Sequence, residues 1–281
     1  MSNYGGRKYL IYRSLELIAL VLLFFWMFAP FSGLVLWSIA IKWYWPHVLP
    51  QEIGLDYWLE ALGIRKGLAI TGAVSIIDAL QTSIFIALVV VALSMIITLP
   101  ASYVLARYKI PFKSLIFFLF LMRQAFPQQP VFVNLMAIFY KLDLVGKIPG
   151  VILAHLMPSL VYAIWINTAA FRSIPPELEE AARMAGADSF TAFFKVTLPL
   201  AAPGLLASSV FVFLYSLDEF TGTFFIGLPF VVTLPMLLYS SSGYNMQFAS
   251  ATAIVLMIPS IIFMIIIEKF LKAEYLGGLG G

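Results

Sequence analysis

Asp218 and Glu219 stand side by side in "FVFLYSLDEFTGTFF", a run that is otherwise almost wholly apolar. Ionisable groups in such a run are costly unless they pair, line water or meet a ligand, so the two acids mark a candidate solute pathway. On a helix Phe211, Tyr215, Asp218 and Gly222 share one face at i, i+4, i+7 and i+11, and Glu219 points about 100° away. The two carboxylates therefore need different partners. One candidate is Arg123 in "LMRQAFPQQPVFVN", beside Gln124; the other acid is then available to a cation. Tyr215, Asp218, Glu219, Arg123 and Gln124 form the candidate substrate pathway or gate.

A second polar cluster lies in "PPELEEAARMAGADSFTAFFKVTLPLAAPG", residues 175–204, with four carboxylates and two cations between long apolar runs. Ser173 suits an N-cap, Pro175 and Pro176 a first turn, and Glu177, Glu179 and Glu180 complement the helix dipole. Gly186 supplies a stop that tolerates left-handed backbone. Asp188 or Ser189 can cap a second helix over "SFTAFFKV", before Leu198 and Pro199 lead into the next apolar run. The expectation is a helix-turn-helix knob.

Several chemistries are excluded. With no cysteine the chain has no disulfide, thiolate or cysteine-ligated metal. His47 and His155 lie in no H-E-x-x-H pattern, which argues against an intramembrane metalloprotease, and no G-x-x-x-x-G-K-[ST] phosphate loop occurs. His155 reads as a hydrogen-bonded packing residue. No catalytic residue, metal site or resident cofactor is expected. The net charge of +3 is scattered along the chain, so nucleic-acid binding has no support.

The elements that position these residues are membrane spans. A content of 62% hydrophobic and 11% charged residues lies far from the soluble norm. Each span needs roughly 20 apolar residues, and six candidates appear, near 17–41, 79–105, 115–140, 150–171, 200–225 and 248–267. The first follows Arg7, Lys8 and Arg13 but is too long for a signal peptide and has no clear cleavage site. The third carries Pro127 and Pro130, each expected to break a helix inside the membrane, as transporters do where backbone faces a cavity; a packed proline kink is the alternative. Eleven Lys and Arg lie in the termini and in 106–113 and 172–199, against five in the alternate loops. The positive-inside rule then places both termini and the knob in the cytoplasm. The loop 42–78, rich in Trp and Tyr, faces outward as a headgroup-level belt or a lid. The chain reads as one all-α transmembrane domain, 1–281, ending in a flexible Gly-rich tail.

The spacing Glu180-Ala181-Ala182, three residues, Gly186, nine residues, Val196, then Leu198-Pro199 resembles the EAA motif of binding-protein-dependent ATP-binding-cassette importer permeases, with Val for Ile. The loop between the fourth and fifth spans is where that family carries the motif, and 79–272 is similar to the core of its type I members. The resemblance implies a permease with six transmembrane helices and cytoplasmic coupling helices in a bacterial inner membrane. It implies pairing with a second homologous permease, two cytoplasmic subunits that bind ATP and Mg, and an extracytoplasmic solute-binding protein. Glu180, Ala181, Ala182, Gly186, Val196, Leu198 and Pro199 would then couple to the ATPase, with Glu180 anchoring to a basic group. "LYSLDEFTGTFFIG" resembles the polyamine group, so a polyamine or other small organic cation is the leading expected cargo. Maltose-like permeases for sugars or polyols, which more often show Trp-Asn-Glu there, are the alternative. Thiamine- or ferric-type substrates stay open, and a secondary transporter is the different-class reading.

Overall fold

The computed structural model describes residues 4–64 and 74–278. Among the described residues the regular secondary structure is helical except for one two-stranded ribbon. In order, the elements are α1 (Tyr4–Ile39), β1 (Ala40–Lys42), β2 (Glu52–Ile53), α2 (Asp56–Ala61), α3 (Ile76–Arg107), α4 (Lys113–Ala125), α5 (Gln128–Lys141), α6 (Ile148–Arg172), α7 (Pro176–Met184), α8 (Ser189–Ala192), α9 (Leu198–Leu217), α10 (Leu234–Ser242) and α11 (Met246–Gly278). Two π-helical turns, Phe193–Thr197 and Thr223–Gly227, flank α9. Residues 65–73 of the expected outer loop and 279–281 of the Gly-rich tail lie outside the described residues, whereas Gly277 and Gly278 end α11.

Among the described residues five helices are long and apolar enough to cross a membrane: Tyr12–Ile39, Ile76–Arg107, Ile148–Arg172, Ser189–Leu217 and Met246–Ile266. The expected third span is instead two helices of 13 and 14 residues, α4 and α5. The cause is local. Pro127 disfavours helical backbone at the residue before it, and Phe126 is extended (φ −89°, ψ 133°). Pro130 breaks nothing: it sits in the first turn of α5, where a backbone N–H has no intrahelical partner.

The fifth span also differs from expectation. It ends at Leu217, with Asp218 as its C-cap. At its start, α8 runs through the π-helical turn directly into α9, so the second knob helix and the span are one rod. Pro199 falls in the first turn of α9, just past that turn, where its missing donor interrupts little. The short helix α10 between the fifth and last spans was not foreseen.

The described chain falls into two compact units. One comprises residues 1–75 with 238–255; the other comprises 76–237 with 256–281. In the first, β1 and β2 pair antiparallel, Lys42 is bonded to Glu52 at 2.6 Å, and the Trp37 and Trp43 rings stack at 4.4 Å. In the second, α3, α6 and α9 pack side by side. Ile86, Val90, Val151 and Val212 are buried among them, while Phe132, Ala154 and Ile226 form a separate cluster under α5. Gly204 permits the close approach of α9 to α6, since a Cβ there would lie 2.5 Å from that of Ala170. In a bilayer the lipid tails are as apolar as these side chains, so close van der Waals packing, rather than removal of apolar surface from water, holds the three helices together.

Candidate functional site

Two sites follow from this frame, one at each end of α9. At the first, α7 begins with Pro175 as N-cap and carries Glu177 and Glu179 in its first turn. Ser173 does not cap α7. It is the C-cap of α6, and its hydroxyl donates back to the Ala170 carbonyl. Gly186 ends the helix with φ +96°, the left-handed backbone that glycine adopts without strain. Asp188 caps α8, accepting from the Thr191 N–H at 3.0 Å, and the Thr191 hydroxyl and N–H hold its pKa below the usual aspartate range.

Glu180 is exposed, as are Ala181, Gly186 and Pro199; Ala182, Val196 and Leu198 are half-buried. The adjacent acid behaves differently. Glu179 is buried at 7% exposure. Its Oε1 accepts from Arg107 Nε at 2.7 Å and its Oε2 from the Tyr103 hydroxyl at 2.9 Å. Arg107 Nη1 donates in turn to the Ile174 carbonyl at 2.9 Å. Burial acts to raise the Glu179 pKa, but the polar groups of Thr197, Tyr103 and Arg107 outweigh it and hold the carboxyl below the ordinary glutamate range. This cluster was missed in the sequence. Its signal was an i, i+4 Tyr and Arg at the end of a span, with a second acid beside the one the motif singles out.

At the other end of α9 the expected helical face does not continue to Gly222, because the helix stops at Asp218. Asp218 is exposed and Glu219 is buried at 6% exposure. Both Glu219 oxygens accept from the Gly222 N–H at 2.9 Å, and Oε2 lies 3.2 Å from His155 Nε2. The imidazole is fully buried, with Nδ1 2.9 Å from the Ser216 hydroxyl and Nε2 2.9 Å from that of Thr223. His155 is thus the hydrogen-bonded packing residue expected. The expected Arg123 pair is not formed: among the described residues neither Asp218 nor Glu219 lies within ion-pair distance of Arg123. Arg123 acts on Tyr215 and Glu219 only through space. The Gln124 side chain lies outside the described residues.

Tyr215 sits in different company from that expected. Its hydroxyl accepts from Gln128 Nε2 at 3.2 Å, at the start of α5. The Tyr162 ring of α6 lies 5.0 Å from both the Phe211 and Tyr215 rings. The α4–α5 break, α6 and α9 therefore bring three aromatic rings and one amide together. Aromatic side chains with a few placed polar groups are the usual lining of small-molecule sites.

Residues 98–275 match the family described as "Binding-protein-dependent transport system inner membrane component". The chain belongs to that family. The permease is 32% identical over 208 residues to the trehalose transport system permease protein of Mycobacterium tuberculosis (strain CDC 1551 / Oshkosh), covering 72% of this chain and 76% of that one. It is 31% identical over 207 residues to the sulfoquinovosyl glycerol transport system permease protein of Agrobacterium fabrum (strain C58 / ATCC 33970), covering 72% and 73%. Its fold is similar to a chain in the crystal structure of a bacterial ABC transporter involved in the import of the acidic polysaccharide alginate, with TM-score 0.72, 19% identity and coverage of 96% and 99%. A membrane permease of this family is a channel component rather than an enzyme.

Proposed function

We propose that the permease forms part of the translocation path of an ATP-driven importer whose cargo is a sugar or oligosaccharide. The observation that carries this reading is the aromatic and amide cluster of Tyr162, Phe211, Tyr215 and Gln128. The relatives for trehalose and sulfoquinovosyl glycerol support it. The polyamine reading lacks such support. Of the two acids it relied on, Glu219 is occupied by Gly222 and His155, and only Asp218 faces outward.

In this reading the whole chain acts as one inner-membrane permease domain, with both termini and α7–α8 in the cytoplasm. The α4–α5 pair is the sixth crossing. A second permease, two ATP-binding subunits with ATP and Mg, and an external solute-binding protein complete the importer. The knob of α7 and α8 couples to the ATPase through exposed Glu180, Ala181 and Gly186, with Ala182, Val196, Leu198 and Pro199 shaping its surface. Met184 at 84% and Phe190 at 70% exposure put large apolar side chains on the same knob, as a docking surface requires.

The test is uptake by the assembled complex in vesicles, with labelled trehalose and labelled putrescine as the two probes. ATP-dependent entry of the sugar alone is the expected outcome. Entry of putrescine alone would reinstate the cation reading, and entry of either without nucleotide would favour a secondary transporter.

A further inference from the structure

We propose that Glu179 is a positioning residue that carries motion of the knob into α3, a helix the chain itself does not join to the knob. The proposal rests on the reading of α7 and α8 as the coupling element. Chain continuity links α7 to α6 through residues 173–175, and α8 to α9 through the π-helical turn. The end of α3 lies far earlier in sequence. Its tie to α7 is the carboxylate of Glu179, whose two oxygens are taken by Arg107 and Tyr103.

Apolar contact alone does not fix this geometry. At this end of the bundle Phe171, Ile174, Ala201 and Leu205 are buried against Leu99, Tyr103 and Phe193, which holds α3 beside α6 and α9. Packed helices of this kind slide by small shear steps. A charge-assisted hydrogen bond is short and directional, so it sets distance and orientation as well as proximity. The Arg107 and Glu179 side chains are only 11% and 9% exposed, which shields the pair from competing water. Arg107 also grips the Ile174 carbonyl, in the connection between α6 and α7. The Tyr103 ring meets Phe171 of α6 and Phe193 of the π-helical turn edge-on at 5.7 and 4.8 Å, contacts that hold α3 to its neighbours but do not reach α7, so the link to α7 runs through the carboxylate. Glu180, one residue on, is left exposed. One acid of the pair thus faces outward to a partner, and its neighbour grips α3.

The absence of cysteine makes the test direct. A spin label is placed at Ile97→Cys on α3 or, as a control, at Leu206→Cys on α9; both positions are exposed. The assembled complex in lipid is then trapped with Mg-ATP and orthovanadate. With Glu179 intact, both labels should change their spectra on trapping. In Glu179→Gln the α9 change should persist while the α3 change falls about fivefold or more. A role confined to folding would move both labels together. A wild-type α3 response in Glu179→Gln overturns the proposal, as does equal loss at both labels. If Glu179→Gln does not assemble, Tyr103→Phe decides, since it leaves the ion pair in place. A weakened α3 response with a full α9 response supports the tie, and an unchanged one overturns it. If neither label responds even with Glu179 intact, the reading of the knob as a coupling element is what fails.

Discussion

Two pairs of adjacent carboxylates, Glu179 with Glu180 on α7 and Asp218 with Glu219 just past the end of α9, are arranged alike but satisfied differently. At the knob Glu179 is buried and Glu180 exposed; past α9 Glu219 is buried and Asp218 exposed. Glu179 is held by a cation and a phenol, so its charge is matched. Glu219 is held by a backbone N–H and an imidazole, in a site whose other polar groups are hydroxyls. Neighbouring residues on a helix or tight turn point in different directions, so one acid of each pair is directed inward and the other outward. The inward acids fix structure, and the outward acids are available to whatever lies outside the chain.

The comparison is broken most severely at Glu219. Glu219→Leu removes the acceptor for Gly222 and a partner of His155, leaving buried donors unmet, which costs about 1–3 kcal/mol each. The expected outcome is a lower melting temperature of the purified complex and reduced yield, whatever solute is supplied. A Glu219→Leu complex with wild-type melting would show that the inward acid is not structural.

Glu180→Lys addresses the outward acid at the knob. The residue touches nothing that the fold depends on, so insertion and melting should stay close to wild type. Reversing a charge at a docking surface costs about 2–5 kcal/mol of partner affinity, so stimulated ATP hydrolysis and co-purification of the ATP-binding subunits should fall by a factor of about 30 or more. If Glu180→Lys instead lowers melting and leaves hydrolysis intact, the inward and outward roles are reversed at the knob.

What was legible in the sequence divides along the same line. Apolar runs longer than about 20 residues announced most of the spans, because the bilayer demands them. Gly186 and Asp188 announced the turn between α7 and α8, because few residues adopt their backbone or make their cap. The choice between neighbouring acids was not legible. It depends on where Tyr103, Arg107 and His155 arrive, from helices distant in sequence. The helical face extrapolated from Tyr215 to Gly222 failed for a related reason. Periodicity does not signal the end of α9 at Leu217, which places Asp218 outside and folds Glu219 back onto Gly222.

A pH dependence should test the inward acid at the knob. The Glu179 carboxyl is held below its usual pKa, near 4.5, so its contribution is fully present above that value. As pH falls below it the contribution declines, and it is lost once the folded-state pKa is passed. As the pH is lowered from about 5 through and below the usual glutamate value, the melting temperature of the complex should fall more steeply with Glu179 than with Glu179→Gln. Equal slopes would mean that the ion pair with Arg107 contributes nothing at neutral pH.

The smallest effect is expected at Asp218, the outward acid at the cargo end. It is exposed and has no ion-pair partner among the described residues, so Asp218→Asn should change stability by less than about 0.5 kcal/mol. The consequence for transport depends on the cargo. A sugar held by the Tyr162, Phe211 and Tyr215 rings and the Gln128 amide needs hydrogen bonds and apolar faces, and asparagine still supplies the former. Uptake of a labelled disaccharide by Asp218→Asn should therefore stay within about threefold of wild type. A cation would lose the charge that replaces part of its hydration shell, and its uptake would fall by far more. The double variant Asp218→Asn with Arg123→Gln sharpens the outcome. If Asp218 and Arg123 come together in another state of the transport cycle, the single change leaves Arg123 unmatched, and the double change restores what the single one lost. If the acid only faces the cargo, the double variant behaves as the sum of the singles.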